Sequence, residues 1–396
     1  MKLVRISMTL VAVVAGLAVL FFFTLAPSIV GSLSNQVVGD PGEAPSEASL
    51  AFHQTLVVGD LHADSALWNR DLQEYGEYGQ VDLPRLLEGN FALQMFTTVT
   101  KSPRGQNYHH NTADAPDNIS LLALAQRWPA ATRDSLFARA LFQGEKIKAL
   151  DTASEQFTLI RTAADLNKLI ARRQAGEKIV GGLLGTEGSH ALDGNLDNID
   201  HLYDAGFRMM SLQHFFDNKL GGSLHGESNA GLTAFGAAAV DKMLARGIMI
   251  DVAHSSEQVV LDVIARTSAP LIVSHSGFKG HCDRKRNISD ATMQLIAQHG
   301  GLIGVGFWSE AACEESVAAI VASMRYGIDL VGVEHVALGS DWDGSVNTPI
   351  DAADAARLTH AMRTANFSDD EIRAVMGGNM LRFLQMHLPS GDLNTL

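Results

Sequence analysis

Short apolar runs alternate with amphipathic stretches along most of this chain. The runs are apolar throughout rather than alternating, which is typical of strands that are buried on both faces of a parallel sheet. Most intervals between them have the apolar spacing of a helix, for example residues 230–246. The pattern predicts eight strands, at residues 55–59, 91–99, 179–185, 207–212, 248–253, 271–274, 302–307 and 336–339.

Eight successive strand-then-helix units fit a closed (β/α)8 barrel of the TIM type better than an open doubly wound sheet. No GxGxxG motif follows the first predicted strand, so a dinucleotide-binding fold is not indicated. The interval 101–178 is longer than a normal crossover and predicts extra helices over the barrel mouth. We therefore predict one α/β barrel domain over residues 51–388.

The N-terminus differs from the rest of the chain. Residues 6–26 form a nearly continuous apolar run behind Lys2 and Arg5. About 20 apolar residues suffice to span a bilayer as a helix, and flanking cations stay on the cytoplasmic side. We predict a single-pass signal anchor over residues 1–27 in the inner (cytoplasmic) membrane, with the remainder in the periplasm or outside the cell.

A cleaved signal peptide is the alternative for this segment, although its apolar stretch is usually only about 7–15 residues. Residues 28–50 are rich in Gly, Ser, Pro and Asn and predict a linker, and residues 389–396 predict a polar tail.

The charge and cysteine content exclude some functions. Lys and Arg number 30 against 44 Asp and Glu, a formal net charge of -14, which argues against nucleic acid as a partner. Two cysteines, Cys282 and Cys313, are too few for a thiolate zinc site. Outside the cytosol a disulfide between them is plausible, and two unpaired buried thiols are the alternative.

Polar side chains that can bind metals follow six of the eight predicted strands. Barrel enzymes place their catalytic groups at these C-terminal strand ends, where side chains from different strands converge. The residues in question are Asp60, His62 and Asp64, then Glu187 and His190, then His214, then Asp251 and His254, then His275, and finally Asp341 and Asp343.

Five of these residues form a plausible metal-ligand set. His62 and Asp64 lie two positions apart, so an extended backbone points both side chains the same way. With Glu187, His254 and His275 they give nitrogen and oxygen donors that favour zinc. Five ligands exceed the need of one four-coordinate zinc with an open position. We therefore predict two Zn²⁺ ions per chain, bridged by the Glu187 carboxylate.

Other histidines and carboxylates in the same region have simpler roles. A lone histidine at a strand end is more often structural than a ligand, and we expect this of His190 and His225. Asp60 and Asp251 are expected to accept hydrogen bonds behind the ligand histidines.

The order and spacing of these residues resemble the membrane dipeptidase (renal dipeptidase) family of zinc metallopeptidases, as a bacterial member, from about Val57 to Leu384. The motifs that carry the resemblance are Asp60-Leu-His62-Ala-Asp64, Thr186-Glu187-Gly-Ser-His190, Met209-Met-Ser-Leu-Gln-His214, Ile250-Asp-Val-Ala-His254-Ser, Val273-Ser-His275-Ser, Arg286-Asn287-Ile-Ser-Asp290 and Leu338-Gly-Ser-Asp341-Trp-Asp343-Gly344.

The resemblance implies a metal-dependent hydrolase barrel with a distribution of ligands between the two ions. His62 and Asp64 correspond to the ligands of one zinc, and His254 and His275 to those of the other. Glu187 corresponds to the bridging carboxylate.

It also implies roles for substrate-binding residues. His214 resembles the histidine that contacts the scissile carbonyl region, and Arg286 the arginine that receives the substrate carboxylate. Asp341 matches the aspartate beside the bridging water, where it would accept the proton of that water. Cys282 and Cys313 fall near positions that form a disulfide in animal relatives.

The predicted function is therefore a zinc dipeptidase that cleaves dipeptides through a metal-bridging hydroxide and tolerates a D-residue at the C-terminal position. The alternatives are another two-metal amidohydrolase acting on a lactone or cyclic amide, and a membrane-tethered metal-binding scaffold without catalysis. The sequence leaves open the natural dipeptide and whether the chain forms a homodimer. It departs from mammalian relatives in its N-terminal anchor, and its pocket residues around Trp308 do not align.

Overall fold

A closed parallel barrel forms the body of the protein. The computed structural model describes residues 2–391, with side chains from residue 8 onward. Every strand pairing in the described sheet is parallel, and the pairing of β2 with β4 closes the ring. The strands are β1 Val58–Ala63, β2 Phe91–Val99, β3 Phe157–Leu159, β4 Val180–Glu187, β5 Phe207–Ser211, β6 Met249–Asp251, β7 Ile272–Ser276, β8 Leu302–Val305 and β9 Val336–Leu338.

Helices surround this barrel, as the sequence predicts. Most carry a Ser, Thr or Asp at the N-cap, and Ser368 with Glu371 forms the capping box expected before the last helices. The helices are α1 Lys2–Thr24, α2 Ala26–Ser34, α3 Glu47–His53, α4 Leu83–Glu88, α5 Asn118–Ala125, α6 Leu136–Ala153, α7 Ala163–Gln174, α8 Asp197–Asp204, α9 Ala234–Ala245, α10 Glu257–Arg266, α11 Asp290–Gln298, α12 Ser309–Ala312, α13 Val317–Val331, α14 Ala356–Thr364, α15 Asp369–Arg373 and α16 Asn379–His387.

The TIM-type barrel prediction is confirmed, with two differences of detail. All eight predicted strands are present, but β1 extends to Ala63 rather than ending at Gly59, because its polar residues Asp60 and His62 are fully buried and hydrogen-bonded. A ninth strand, β3, was not predicted. It pairs only with residues 180–182 at the start of β4, and β5 pairs with the later residues of β4, from Leu184 onward.

The long interval after β2 contains the helices α5, α6 and α7, as predicted, and also β3. Ile119 of α5 reaches the wall of the pocket at the barrel mouth. Nearby, a disulfide joins Cys282, in the loop after β7, to Cys313 at the end of α12, with 5.5 Å between their Cα atoms.

The N-terminal segment meets the rest of the domain at Phe22 and in α2, while the apolar side chains of α1 from Met8 to Phe21 are mostly exposed. In the described residues no single helix has the length and hydropathy of a membrane span. Met8–Thr24 and Ala26–Ser34, bent by 48° at the break between them, meet that test only as a pair. The segment predicted as a linker is helical as far as Ser34 and then pairs with the barrel loops through Val37 and Asp40. Of the predicted polar tail, residues 392–396 lie outside the described residues.

Candidate metal centre and substrate pocket

All eight predicted site residues lie together at the C-terminal end of the barrel. His62 is the penultimate residue of β1, Glu187 ends β4 and His275 lies in β7. Arg286 lies in the loop after β7, and the other four follow their strands within three residues. Each is at most 7 % exposed. Seven of them line one pocket: Asp64, Glu187, His214, His254, His275, Arg286 and Asp341. The remaining one, His62, contacts Glu187 from below the pocket floor.

The Glu187 carboxylate is the centre of the cluster. Its Oε1 lies 3.2 Å from Nε2 of His254, 3.4 Å from Nε2 of His275 and 3.5 Å from Nε2 of His62. His62 Nε2 is in turn 3.5 Å from Oδ2 of Asp64. Ligand atoms around a tetrahedral zinc ion with bonds of about 2.0–2.1 Å are about 3.3 Å apart. The donor set and its spacing therefore fit metal ions, with Glu187 shared by two groups of ligands.

Ser274 and Asp251 orient two of these histidines. The Ser274 hydroxyl donates to Oδ2 of Asp251 over 2.7 Å, so its oxygen can only accept from the rings of His62 (3.1 Å) and His275 (2.9 Å). In the neutral form of each ring the proton is therefore on Nδ1, which leaves Nε2 able to bind a metal ion. Asp251 thus acts on the ligand histidines through Ser274.

Asp60 has a different role from the one expected. Its carboxylate accepts hydrogen bonds from the Gln94 amide, from the backbone and hydroxyl of Ser340, and from the backbone of His62. Within residues 2–391, none of the hydrogen bonds of this carboxylate comes from a histidine ring. Asp60 therefore ties β1 to β2 and to the loop after β9.

Burial and mutual repulsion dominate the electrostatics of the cluster. Burial, followed by the nearby Asp64 charge, raises the pKa of Glu187 well above its usual range. Burial also lowers the pKa of His254 and His275 well below theirs, so both are neutral and can act as ligands. For His62 burial acts in the same direction, but the surrounding carboxylates, Asp64 foremost, outweigh it and raise its pKa to about 10.

A constrained loop aims Asp341 into the pocket. Asp341 follows β9 with a φ of 62°, and a Cβ on Gly344 would lie 2.1 Å from its Oδ1, so only glycine fits there. The loop is anchored through Asp343, whose carboxylate accepts from the Ser65 hydroxyl and from Arg70. Asp341 Oδ1 is thereby held 3.8 Å from Nε2 of His62.

Arg286 is a buried cation without a carboxylate partner. Its side chain is 1 % exposed and donates to the carbonyls of His275 (2.7 Å) and Ala253 (3.1 Å) and to the Ser276 hydroxyl (3.2 Å). Among the residues that the structure describes, no carboxylate oxygen lies within 4.0 Å of it. Burial lowers the pKa of Arg286. The pocket therefore contains a guanidinium that is near carboxylates but forms no direct ion pair, so it can bind an anionic ligand.

Aromatic residues that the sequence did not reveal complete the pocket wall. Tyr108, from the loop after β2, lines the pocket and accepts a hydrogen bond from the indole of Trp308 over 3.1 Å. Phe215 packs against the rings of both Tyr108 and His225. No periodic pattern marks such loop residues. Their only sequence signal is their position after β2 and β5.

The two histidines expected to be structural lie beside the cluster. His225 contacts the Tyr108 carbonyl through Nδ1 over 2.9 Å, and the His190 ring packs against Phe216 with 5.0 Å between ring centres. His214 places Nε2 3.4 Å from Oε2 of Glu187, on the pocket side of the cluster.

The chain is similar to known peptidases over nearly the whole barrel. The model of the membrane dipeptidase family (peptidase family M19) matches residues 47–388. "Dipeptidase aclJ" of Aspergillus oryzae is 26% identical over 347 residues, which cover 82% of this chain and 76% of that protein. "Dipeptidase 3" of Mus musculus is 29% identical over 333 residues, 77% of this chain. The match spans only 62% of the mouse protein's own length.

A solved structure shares the fold. It is a metallopeptidase from Rhodobacter sphaeroides liganded with a phosphinate mimic of the dipeptide L-Ala-D-Ala. Its TM-score is 0.65 at 23% identity, and the match covers 84% of this chain and 99% of that one.

Proposed function

This chain belongs to the membrane dipeptidase family of metallopeptidases, and we propose that it is a two-zinc dipeptidase that hydrolyses free dipeptides. The observation that carries the proposal is the buried, unpaired Arg286 beside a cluster of metal-ligand type. A dipeptide has its carboxylate one residue from the scissile bond, so a fixed cation near the cluster selects substrates of that length.

The cluster would hold two ions. His62 and Asp64 would bind one ion, His254 and His275 the other, and Glu187 both. Zinc supplies Lewis acidity, which polarises the scissile carbonyl and lowers the pKa of a bound water. The Ser274 hydroxyl keeps Nε2 of His62 and His275 free for this purpose.

Three protein groups would then act on the substrate. Arg286 would bind the terminal carboxylate and so place the scissile carbonyl over the cluster. His214 would contact the scissile carbonyl region through Nε2, while its Nδ1 donates to the Lys101 carbonyl over 3.3 Å. Asp341 would take a proton from the attacking water on Oδ1 and pass it to the leaving nitrogen. No covalent enzyme intermediate is required.

We also propose that a D-residue is accepted at the C-terminal position. The Rhodobacter sphaeroides structure was liganded with a mimic of L-Ala-D-Ala. An arginine that reads only the carboxylate leaves the configuration at the adjacent carbon to the surrounding pocket wall.

The N-terminal helices would hold the enzyme at the inner membrane. α1 exposes apolar side chains along its length, including Leu10, Val14 and Leu17, which are 57–64% exposed. Lys2 and Arg5 precede them and favour a cytoplasmic N-terminus, with the barrel on the other side.

Comparison of Ala-Ala with Ala-Ala-amide on the full chain loaded with zinc tests the proposed function. We expect the free acid to be hydrolysed and the amide to react at least about tenfold more slowly, because loss of one charge-assisted contact costs about 1.5–3 kcal/mol. Hydrolysis of both at equal rates would show that the carboxylate is not read. Absence of any dipeptide hydrolysis would reject the enzyme assignment.

A further inference from the structure

A second cavity adjoins the substrate pocket. It encloses about 980 Å³, counting space open to solvent, against about 530 Å³ for the pocket on the same measure. The two share five lining residues: Leu67, Ser102, Gln106, Ile119 and Ser345. We call this second cavity the apolar groove. The shared residues form its inner end, so the groove directly adjoins the substrate pocket.

The N-terminal helices form the outer wall of the groove. Phe22, Ala26 and Val30 of α1 and α2 face Leu122 and Ala125 of α5 across it. Ten of the fifteen lining residues are apolar and none is charged. A cavity of this composition gains free energy by burying an apolar group and has no partner for a charged one.

The inner wall of the groove is held rigidly. Trp68 is 2 % exposed, and its indole nitrogen donates to the Asp343 carbonyl over 2.6 Å. Lys146 donates to the carbonyls of Ala66 and Trp68, each over 2.6 Å. The wall is thus tied to the same loop that positions Asp341, so a group bound in the groove is fixed relative to the reacting atoms.

Barrel topology decides which end of a dipeptide reaches the groove. The Arg286 guanidinium donates hydrogen bonds to the carbonyl of His275 in β7 and to that of Ala253, which follows β6. Of the five residues at the inner end of the groove, four follow β1 or β2, and Ser345 follows β9. In the ring order, β2 is four strands from β7 in either direction. A dipeptide bound by Arg286 through its carboxylate therefore points its amino-terminal residue toward the groove.

We propose that the groove binds a long apolar side chain on the amino-terminal residue of the dipeptide, and that α1 and α2 are part of this specificity site. The inference rests on the dipeptidase function proposed above. It assigns to the N-terminal helices a substrate-binding role in addition to anchoring.

The test is a pair of substrate series on the full zinc-loaded chain. In one series the amino-terminal residue of X-Ala is lengthened from alanine through norleucine to 2-aminooctanoic acid. In the matched series Ala-X, the same residues stand at the carboxyl end. We expect kcat/KM to rise in the first series only, by up to about fourfold for each buried methylene. Burial of one methylene contributes about 0.8 kcal/mol, which corresponds to this fourfold change. Equal values along the first series, or an equal rise in both, would overturn the inference.

A variant that fills the groove gives a second measurement. Ala26→Phe places a ring in the outer wall, and Leu25→Phe is the matched control, because Leu25 is 57% exposed and outside the lining. Ala26→Phe should bring the 2-aminooctanoyl-to-alanyl ratio of kcat/KM close to one, while Leu25→Phe retains the rise. If Ala26→Phe keeps the full rise, the groove is not the binding site. Failure of the wild type to cleave Ala-Ala at all would instead reject the proposed dipeptidase function.

Discussion

Ser274 donates its hydroxyl hydrogen to Asp251, and this single bond fixes a proton on Nδ1 of two histidines. The Ser274 oxygen, having donated its hydrogen, accepts from Nδ1 of both His62 and His275. One of these rings belongs to each predicted metal site. Ser274 therefore couples the geometry of the two sites.

Ser274→Ala should weaken metal binding while the five ligands remain. Loss of such a supporting hydrogen bond typically lowers metal affinity by about 10- to 100-fold, because the ring can rotate or change tautomer. Competition with a zinc chelator measures the change. Ser323→Ala is the control. Ser323 is also buried, but it lies in α13 and its hydroxyl has no hydrogen-bond partner among the described residues. Equal zinc affinity of Ser274→Ala and the wild type would contradict the role.

Glu187→Gln should lower the occupancy of both metal ions. The carboxylate oxygen near His62, His254 and His275 would lose its charge, and an amide offers only one acceptor oxygen. Elemental analysis after dialysis should show two zinc ions per wild-type chain and fewer than one in the variant. Glu257→Gln on α10 should keep two. Full activity of the wild type with a single bound metal would refute the two-ion site.

Much of this architecture could be predicted because it rests on local patterns. Apolar runs buried on both faces marked eight strands, and the residues after them converged because parallel strand ends meet at one barrel edge. The C-terminal end of β1 was predicted too early, because Asp60 and His62 are polar and resemble loop residues. They are buried in the strand, where Gln94, Ser340 and Ser274 satisfy them.

The features that escaped prediction depend on contacts between distant segments. β3 has three residues and pairs only with the start of β4, which is too short for a periodic signal. Tyr108 lies in an irregular loop, and its position in the pocket follows from Trp308, far away in the sequence. Docking of residues 26–40 onto the barrel likewise depends on partners such as Thr348 and Ser316.

Away from the site, the ion pair of Glu371 with Arg325 should make stability depend on pH. The Arg325 hydrogen bonds lower the pKa of Glu371 from 4.5 to about 2. A lowered folded-state pKa stabilises the protein above the unfolded pKa, and this contribution disappears as the pH falls toward about 2.

Glu371→Gln should therefore cost less than about 1 kcal/mol at about pH 6, because the pair is partly exposed, and less still at about pH 3. Urea unfolding at both pH values measures the difference from the wild type. Glu257→Gln, measured in the same way, is the control variant. A difference that stays constant with pH would contradict the lowered pKa.

Arg286 variants separate carboxylate recognition from simple folding effects. Arg286→Ala should reduce kcat/KM for Ala-Ala by about 10- to 150-fold, the equivalent of about 1.5–3 kcal/mol. Arg286→Lys should recover only part, because ammonium cannot reproduce the hydrogen bonds that hold the guanidinium. The amide of Ala-Ala should be cleaved at similar rates by Arg286→Ala and the wild type. A large loss with the amide as well would indicate structural damage.

The disulfide should stabilise the loop that carries Arg286. Cys282 precedes Arg286 by four positions, and the Asn287 amide bonds to the carbonyls of both Cys282 and Ala311, so covalent and hydrogen bonds join the same two segments. Closing a loop of sequence separation 31 contributes about 3–4 kcal/mol in the chain-entropy model.

The Cys282→Ser, Cys313→Ser double variant should consequently lower Tm. It should also raise KM for Ala-Ala more than it lowers zinc affinity, because Arg286 lies in the loop whereas His254 and His275 lie outside it. Calorimetry, KM measurement and chelator competition distinguish these effects. The wild type after mild reduction serves as a second sample with the native side chains. An unchanged Tm and KM in both samples would show that the hydrogen bonds of Asn287 alone fix the loop.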